Sequence, residues 1–382
     1  MKILLIGEYS GLHNSLKAGL QKLGHNVTLV SAGDAFKGFP TDLSIAPAIT
    51  QKQSWAVFAK RVIYKLLGIN LEETETALRF WKKLPQLQDY DLVQLINSNA
   101  LETHPFLSRY LLKKLFQKNK KVFLLVCGDE TPVVDYLLKR KLKYDILTPY
   151  FKYPELKKHF AYTLKYTKKP YRKLFDFVYK NSRSIIVSDI DYKIPIEQMG
   201  IQAQFIPNPI NTDKLKLQTP DDRIKTTIFL GINKLSRVKK GIPFFEKALK
   251  IIREKYPDKV EVTVVENLPY DEYIQFYDKA HILLDQVYAY DQGYNALEAM
   301  AKGKVVFTGA EKEFLEHYNL QEDEVCINAL PDVDAIIEKL SWLIENPSEI
   351  QRIGKNARAF IEQEHDYVKI AQKYLNVWNN AQ

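Results

Sequence analysis

Residues 205–215 of the chain, FIPNPINTDKL, separate two halves that carry the same sequence pattern. Pro207 and Pro209 stiffen this connection, and Asn208 can cap a helix or form a turn. On both sides, short runs of apolar residues alternate with amphipathic stretches. Strands that are apolar along their whole length are typical of parallel sheets covered by helices on both faces. The pattern therefore predicts an α/β protein with two Rossmann-like, doubly wound parallel-sheet domains.

The predicted strands are spread over both halves of the chain. They are MKILLIG (1–7), VTLVS (27–31), DLVQLI (91–96), KVFLLV (121–126) and SIIVS (184–188) in the first half, and TTIFLG (226–231), VEVTVV (260–265), HILLD (281–285) and KVVFT (304–308) in the second. Open α/β sheets bind ligands at the carboxyl ends of their strands. Two such sheets facing each other would form a deep cleft that can hold two substrates.

The composition agrees with an ordinary globular protein. The chain has 382 residues, of which 46% are hydrophobic and 26% are charged, and this excludes disordered and collagen-like classes. Its two cysteines, Cys127 and Cys326, are too few for a disulfide framework or a cysteine metal cluster. The N-terminus lacks a signal-peptide pattern, and no apolar run reaches the ~18 residues of a membrane span. We therefore expect a cytoplasmic protein, with a position at the inner face of the membrane left open.

The positive charge is concentrated in residues 139–173, the basic segment. It contains twelve lysines and arginines against Asp145 and Glu155, a net charge of +10, with six interleaved tyrosines. Cations and aromatic rings together suit an anionic membrane surface. A solvated helical face with its tyrosines packed inward is an equal alternative. Nucleic acid uses similar chemistry but is the weakest interpretation, and we expect no nucleic-acid partner.

The second half contains a candidate anion site followed by an acid. Gly293 precedes a predicted helix start, so the backbone N–H groups of Gly293, Tyr294 and Asn295 can bind an anion such as a diphosphate. Glu298 lies about one turn into that helix, where a carboxylate can accept two hydrogen bonds from the diol of a ribose. This combination predicts a nucleotide-sugar donor. The alternative is a turn glycine and a solvated helix acid.

A cationic loop follows the first strand of the second half. GINKLSRVKKG (231–241) places Lys234, Arg237 and Lys240 at the carboxyl end of that strand. Fixed cations there would stabilise the charge that develops on a leaving diphosphate. A basic surface loop is the alternative for each of them.

These segments resemble motifs of GT-B glycosyltransferases of family 4. FIPNPINTDKL is similar to their interdomain motif IPNGVDTxxF, GINKLSRVKKG to their GR-x-x-x-KG loop, and GYNALEAMAKGKVV (293–306) to the second half of their E-x7-E signature. Residues 352–378 resemble their C-terminal helices, the last of which crosses back to the first domain. The matches cover most of residues 205–378, in the right order.

The resemblance implies a GT-B fold, with an acceptor-side domain at 1–205, a nucleotide-sugar domain at 206–363 and a returning helix at 364–382. It implies that Lys234 and Lys240 hold the diphosphate and Glu298 the ribose, without a cofactor or a metal. The expected reaction moves a hexosyl-type group from a nucleotide diphosphate sugar to a glycan or lipid-linked acceptor of surface polysaccharides, with retention at the anomeric carbon. The alternatives are a nucleotide-sugar epimerase on the same scaffold and a catalytically inactive sugar- or membrane-binding scaffold.

The chain departs from the family pattern near the expected sugar. Tyr290 stands where the first Glu of E-x7-E belongs, and Asp291 comes one residue late. Either Asp291 reaches the same place, or the task of that acid has moved; Asp285 is another acid near the strand end. In the first half, the Cys127–Glu130 segment is similar to the family's HG-x-D. Asp129 is therefore expected either to contact the transferred sugar or to cap a helix.

The other acceptor-side candidates are weaker. Gly7 and Gly11 bracket the turn after the first strand, where the family has a glycine loop, although an ordinary strand–helix turn would look the same. His13 can reach the cleft, but an exposed histidine at a helix start is the favoured interpretation. Asn97 and His104 follow another strand, and His104 can equally be structural.

A pair of acids, Asp189 and Asp191, invites comparison with a DxD metal clamp. Such a clamp needs both carboxylates to converge on phosphate oxygens through a cation. We favour a loop cap or turn at this position, and no metal.

Overall fold

The fold was obtained as a computed structural model, which describes residues 1–34, 38–52, 70–218 and 225–381. The first domain is built on a seven-stranded sheet of order β3-β2-β1-β4-β5-β6-β7, in which every neighbouring pair is parallel. Its strands are β1 (Lys2–Ile6), β2 (Asn26–Ser31), β3 (Leu43–Ser44), β4 (Leu92–Leu95), β5 (Lys121–Val126), β6 (Ile185–Val187) and β7 (Gln204–Phe205).

Helices cover both faces of this sheet. They are α1 (Leu12–Lys22), α2 (Ile49–Lys52), α3 (Leu71–Lys83), α4 (Pro105–Phe116), α5 (Thr131–Leu137), α6 (Thr148–Lys152), α7 (Ala161–Leu164), α8 (Lys169–Asn181) and α9 (Ile190–Gln198), with short 3-10 turns at Leu84–Gln86, Pro154–Phe160 and Lys165–Thr167.

The second domain has a five-stranded parallel sheet of order β12-β11-β10-β8-β9. Its strands are β8 (Thr226–Ile232), β9 (Val260–Glu266), β10 (Ile282–Leu284), β11 (Val305–Thr308) and β12 (Ile327–Asn328), and its helices are α10 (Ile242–Lys255), α11 (Tyr270–Lys279), α12 (Tyr294–Ala301), α13 (Lys312–Tyr318), α14 (Val333–Glu345) and α15 (Pro347–Phe360). The chain ends with a π turn at Ile361–His365 and α16 (Tyr367–Asn380). The predicted fold class is confirmed.

The strand order places a switch point in each sheet. β1 leads to β2 on one side, whereas β4 lies on its other side; β8 is likewise flanked by β9 and β10. Loops that leave neighbouring strands in opposite directions open a crevice at the carboxyl ends of the strands. The loops after β1, β4, β8 and β10 are therefore the ones placed to form a ligand site.

The last helix returns to the first domain. Trp378 of α16 is buried, and its Nε1 donates to the Oε1 of Gln94 on β4 at 3.0 Å. Where α16 crosses α1, a Cβ on Gly19 would lie 2.2 Å from the carbonyl oxygen of Tyr367, so only glycine permits this approach. Beside the crossing, the linker pairs with the C-terminal segment through Ile210 N–H to the carbonyl of His365, at 2.7 Å.

Candidate functional site

The N-terminus of α12 is an open set of backbone donors. Gly293 is its N-cap residue, and no side chain among the described residues caps it. The first intrahelical hydrogen bond runs from Leu297 N–H to the Gly293 carbonyl at 3.1 Å. The N–H groups that precede Leu297 thus have no partner within the helix, and the helix dipole favours an anion there.

Lys240 and Asp285 meet beside this helix start. The Lys240 Nζ donates to Asp285 Oδ1 at 2.7 Å, and the Asn295 Nδ2 donates to the same oxygen at 3.1 Å. The Asp285 side chain is only 1% exposed, against 31% for Lys240. Lys240 comes from the loop after β8, Asp285 follows β10, and Asn295 lies on α12. The predicted donor residues Lys240, Gly293 and Asn295 are therefore brought together, with Asp285 between them.

The other two predicted cations of the loop contact different partners. Lys234 Nζ lies 2.8 Å from a carboxylate oxygen of Glu266, with its side chain 65% exposed. Arg237 pairs with Glu246 on α10 and lies 4.0 Å from Glu266. Both are therefore held at the edge formed by β9 and α10, and their role toward a diphosphate stays a prediction.

Lys239, which is not among the predicted residues, is the cation of this loop that reaches the first domain. Its Nζ donates to the Oγ1 of Thr163 at 2.5 Å and lies 3.6 Å from Asp129 Oδ2. Thr163 in turn donates to Asp129 Oδ2 at 2.6 Å. The donor loop and the predicted acceptor side are thereby in direct contact.

Tyr294 crosses the domain boundary in the same way. Its hydroxyl lies 2.7 Å from Ser15 Oγ and 2.5 Å from the carbonyl of Pro209. Burial raises the pKa of Tyr294 well above its ordinary value, and the charge of Glu298 contributes to this shift. Glu298 is thus half-buried near the Tyr294 ring, one turn into α12; its contact with a ribose stays a prediction.

Tyr290 and Asp291 lie in the domain interface. The Tyr290 hydroxyl accepts from the backbone N–H of Lys143 at 3.0 Å. Asp291 Oδ2 accepts from Ile190 N–H, at the start of α9, and Oδ1 accepts from Gln292 N–H, at 3.0 and 2.7 Å. Burial raises the pKa of Asp291 to about 6. Both of its oxygens are engaged by backbone groups, so any catalytic role for Asp291 stays a prediction.

The Asp189–Asp191 pair performs the capping role that the sequence favoured. Asp189 is the N-cap residue of α9 and accepts from Tyr192 N–H at 3.1 Å. Asp191 accepts from the backbone N–H groups of Tyr290 and Asp291 across the interface. Burial raises the pKa of Asp191 to about 7. Among the described residues, no group of three or more His, Cys, Asp or Glu side chains is arranged to hold a metal ion.

The turn after β1 is built around a buried acid that was not predicted. Gly7 and Gly11 have φ of 85° and 90°, and a Cβ on Gly7 would lie 2.4 Å from a side-chain carbon of Ile96. Between them, Glu8 is 2% exposed and accepts from the N–H groups of Gly11 and Asn14 at 2.8 and 2.9 Å. Burial raises the pKa of Glu8 to about 7.

The favoured interpretation of His13 as an exposed histidine is wrong. His13 is fully buried under this turn, and its Nδ1 lies 2.7 Å from the carbonyl oxygen of Gly7. Burial lowers the pKa of His13 to about 4, so the ring is neutral near pH 7 and its Nδ1–H donates. The ring therefore supports the turn instead of reaching the cleft.

Two loops at the acceptor side are fixed by polar contacts. Asn97 is buried, and its Nδ2 donates to the carbonyls of Cys127 and Asp129 at 3.2 and 3.0 Å. The N-cap residue of α5 is Glu130, so the capping alternative for Asp129 is wrong. His104 is exposed and caps α4 by accepting from Phe106 N–H at 3.3 Å, as its structural alternative predicted.

A lysine within an aromatic cage and a nearby acid complete this side. The Lys165 Nζ lies 3.5 Å from the ring centroid of Tyr162 and 5.3 Å from those of Tyr166 and Tyr171. Burial lowers the pKa of Lys165 to about 8, and the charges of Glu102 and Asp129 oppose that shift.

Glu102 has φ of 50°, and burial raises its pKa to about 7. Strained backbone and displaced pKa values are frequent at functional sites.

The basic segment contains both inward-packed and exposed tyrosines, and its contact with a membrane stays a prediction. Tyr144 and Tyr166 are buried, whereas Tyr153 and Tyr162 are exposed. Most of its cations are exposed to solvent, including Lys157 and Lys158. In the described part of the chain, no helix is both long and apolar enough to cross a bilayer.

Part of the sequence matches a known family, and the fold is similar to those of several solved structures. Residues 233–376 match the sequence pattern of the family described as glycosyl transferase-like. A search of curated proteins found no match. Sucrose-phosphate synthase from Thermosynechococcus elongatus has a similar structure, with a TM-score of 0.60, 15% identity, and coverage of 99% of this chain and 98% of that one.

Two further solved structures align over the full length of both chains. HepE from Anabaena, in complex with UDP and glucose, has a TM-score of 0.58 at 14% identity and covers 100% of each chain. The UDP-GlcNAc 2-epimerase from Neisseria meningitidis, bound to UDP-GlcNAc, has a TM-score of 0.54 at 14% identity with the same coverage. At identities this low, the structural similarity shows the fold alone. The family match adds a sequence pattern in the second domain. The chain therefore has the GT-B fold, and residues 233–376 carry the glycosyl transferase-like sequence pattern.

Proposed function

We propose that the protein transfers a hexosyl-type group from a nucleotide diphosphate sugar to a hydroxyl of a glycan or lipid-linked acceptor. The observation that carries this proposal is the meeting of Lys240 with the open N-terminus of α12, at the switch point of the second sheet. A cation beside unpaired N–H groups suits a diphosphate, which carries charge before transfer and gains more as it leaves. In this proposal Glu298, one turn further along α12, binds the ribose.

The acceptor belongs on the opposite wall in this proposal. The two walls are joined by the contacts among Asp129, Lys239 and Thr163. Lys165 lies close enough to Glu102 and Asp129 to interact with their charges. Carboxylates and ammonium groups with low exposure bind hydroxyl-rich ligands through charge-assisted hydrogen bonds. Independence from metal ions is part of the proposal, because cations and a helix terminus can neutralise the leaving group. Retention at the anomeric carbon is also proposed, on the resemblance to GT-B glycosyltransferases of family 4.

A uridine nucleotide is the first donor to test. HepE was solved with UDP-glucose as well, at 14% identity and a TM-score of 0.57, and the Neisseria epimerase with UDP-GlcNAc. A thermal-shift screen of UDP, GDP, ADP and their sugars identifies the bound base, because a ligand raises the melting temperature by mass action. Release of nucleotide diphosphate that depends on an added glycan or lipid-linked acceptor would then support transfer. Binding of the donor, with no release of nucleotide diphosphate in the presence of any acceptor tested, would favour the inactive scaffold.

The epimerase is a second candidate, because one of the similar solved structures is the UDP-GlcNAc 2-epimerase from Neisseria meningitidis. An epimerase needs no acceptor. Incubating donor alone and analysing the sugar by NMR tests this candidate: a new epimer supports the epimerase, and an unchanged sugar argues against it.

We also propose that the first domain works at an anionic membrane surface. Trp81 on α3 and Phe106 and Tyr110 on α4 are 59%, 62% and 51% exposed. Lys113 and Lys114, also exposed, lie on α4 beside the two aromatic side chains, and the basic segment adds further cations. Apolar side chains flanked by cations suit the headgroup region of anionic bilayers.

Vesicle flotation tests this membrane contact. We expect binding to vesicles with anionic lipid, reduced by Phe106→Ser/Tyr110→Ser and unchanged by Ile251→Ser, a matched exposed apolar residue on α10. Equal binding of all three proteins, or no preference for anionic lipid, would reject it.

A further inference from the structure

Asp285 holds an oxygen that the protein itself does not use. Its Oδ1 accepts from Lys240 and Asn295, whereas Oδ2 is buried and has no hydrogen-bond partner in the described part of the chain. Leaving a buried carboxylate oxygen unpaired is costly, because the group has lost its water and gained nothing in return. A ligand that donates a hydrogen bond to this oxygen would remove that cost.

The unpaired oxygen faces the start of α12. A Cβ built on Gly293 would lie 3.7 Å from Asp285 Oδ2, so this oxygen lies next to the N-cap residue of the helix. Two other acids are occupied elsewhere: Asp291 by the N–H groups of Ile190 and Gln292, and Asp191 by those of Tyr290 and Asp291. Among the described residues, Asp285 is therefore a buried acid with a vacant acceptor beside the anion site.

The ligand at this oxygen must be a hydrogen-bond donor. A phosphate oxygen would be repelled by the negatively charged carboxylate. In a nucleotide diphosphate sugar, the hydroxyls of the sugar ring are the hydrogen-bond donors nearest to the distal phosphate. If that phosphate lies at the start of α12, a ring hydroxyl lies within reach of Asp285.

We propose that Asp285 binds a hydroxyl of the transferred sugar through Oδ2 while its Oδ1 positions Lys240 for the diphosphate. The inference rests on the proposed function and deepens it. It makes Asp285 a specificity-determining residue that selects donors with a free hydroxyl at the facing ring position and discriminates against donors deoxygenated there. A single carboxylate would thus align the sugar and the cation that serves its leaving group.

Isothermal titration of Asp285→Asn with a nucleotide diphosphate and with the matching nucleotide sugar tests this role. The variant keeps an acceptor for Lys240 but loses the charge offered to the sugar. We expect the affinity for the nucleotide diphosphate alone to stay within about threefold, and the ratio of the donor Kd to the diphosphate Kd to rise about fivefold or more. Asp278→Asn, which removes the carboxylate that pairs with Lys302 in the same domain, is the matched control and should leave the ratio unchanged.

A second measurement needs no variant. Among singly deoxygenated sugar donors, we expect one to bind the unmodified protein about tenfold or more weakly than the full donor, and to lose little further affinity in Asp285→Asn. Equal weakening of diphosphate and donor by Asp285→Asn, or deoxy donors that all bind within twofold, would overturn the proposal. Failure of the unmodified protein to bind any nucleotide would instead overturn the proposed function, on which this role depends.

Discussion

The Lys240 ammonium lies 2.7 Å from the Asp285 carboxylate, although the two residues come from loops that follow different strands. β8 and β10 are neighbours in the sheet, so their carboxyl ends bring the two loops together. The contact with Asp285 orients the Lys240 side chain, and Lys240 is the predicted diphosphate cation that lies at the start of α12.

Glu298→Ala should weaken the binding of nucleotide diphosphates by about 1–3 kcal/mol, because a hydrogen-bonded carboxylate for the ribose is lost. Titration calorimetry with the nucleotide identified by thermal shift measures the change. Glu254→Ala, which removes an exposed acid from α10 of the same domain, serves as the control and should not alter the affinity. Unchanged affinity in Glu298→Ala would refute the assignment.

Lys240→Met should lower both stability and donor affinity. Asp285 would keep a buried charge without its cation, and we expect the free energy of unfolding to fall by about 1–3 kcal/mol. Urea denaturation measures this loss. Lys240→Arg retains the charge and should recover most of the stability; if Lys240→Met were as stable as the natural protein, the pair would not be formed in solution.

Tyr294→Phe should loosen the domain boundary. The substitution removes the hydroxyl that contacts Ser15 and the Pro209 carbonyl, at a cost of about 1 kcal/mol in the free energy of unfolding. Small-angle X-ray scattering should show a larger radius of gyration than in the natural protein.

Tyr256→Phe is the control for this boundary, since Tyr256 hydrogen-bonds Glu345 within the second domain. It should cost similar stability without changing the radius of gyration. Identical scattering from Tyr294→Phe and the natural protein would contradict a role for Tyr294 in holding the domains together.

The pH dependence of stability should carry a contribution from Glu8. Its pKa is raised from 4.5 to about 7 in the folded protein, so between these values the folded state retains a proton that the unfolded state has released. The contribution of Glu8 to stability is therefore present below pH 4.5 and is lost as the pH rises toward 7. His13, with its pKa lowered to about 4, contributes the opposite slope between about pH 4 and 6.5.

Comparing the natural protein with Glu8→Gln isolates that contribution. Between pH 5 and 8 the stability of the natural protein should fall by about 1–3 kcal/mol relative to the variant. Urea denaturation at both pH values measures the difference, and Glu254→Gln is the control. Parallel pH profiles for the natural protein and Glu8→Gln would show that Glu8 is not held protonated.

The fold was readable from the sequence because apolar strands and amphipathic helices alternate in both halves. The two-residue strands β3, β7 and β12 were not predicted, since segments this short carry no period. Lys240, Gly293 and Asn295 were predicted from their placement after strands and before a helix, which is a local property.

The residues that escaped prediction depend on tertiary contacts. Lys239 matters because the opposite domain presents Thr163 to it, and adjacent lysines in one loop cannot be ranked from the sequence. The burial of His13 and Glu8 depends on how the first turn is covered. Asp285 looked like any acid at a strand end, and its unpaired oxygen is visible only with the packing around it.

A crystal structure with the bound nucleotide sugar would show which residues hold the donor. We expect the diphosphate at the start of α12, with Lys240 Nζ and the N–H groups of Tyr294 and Asn295 about 2.7–3.2 Å from its oxygens. We also expect Glu298 at the ribose. A donor held only by the first domain, with Lys240 and Glu298 directed away from it, would contradict the proposed donor site.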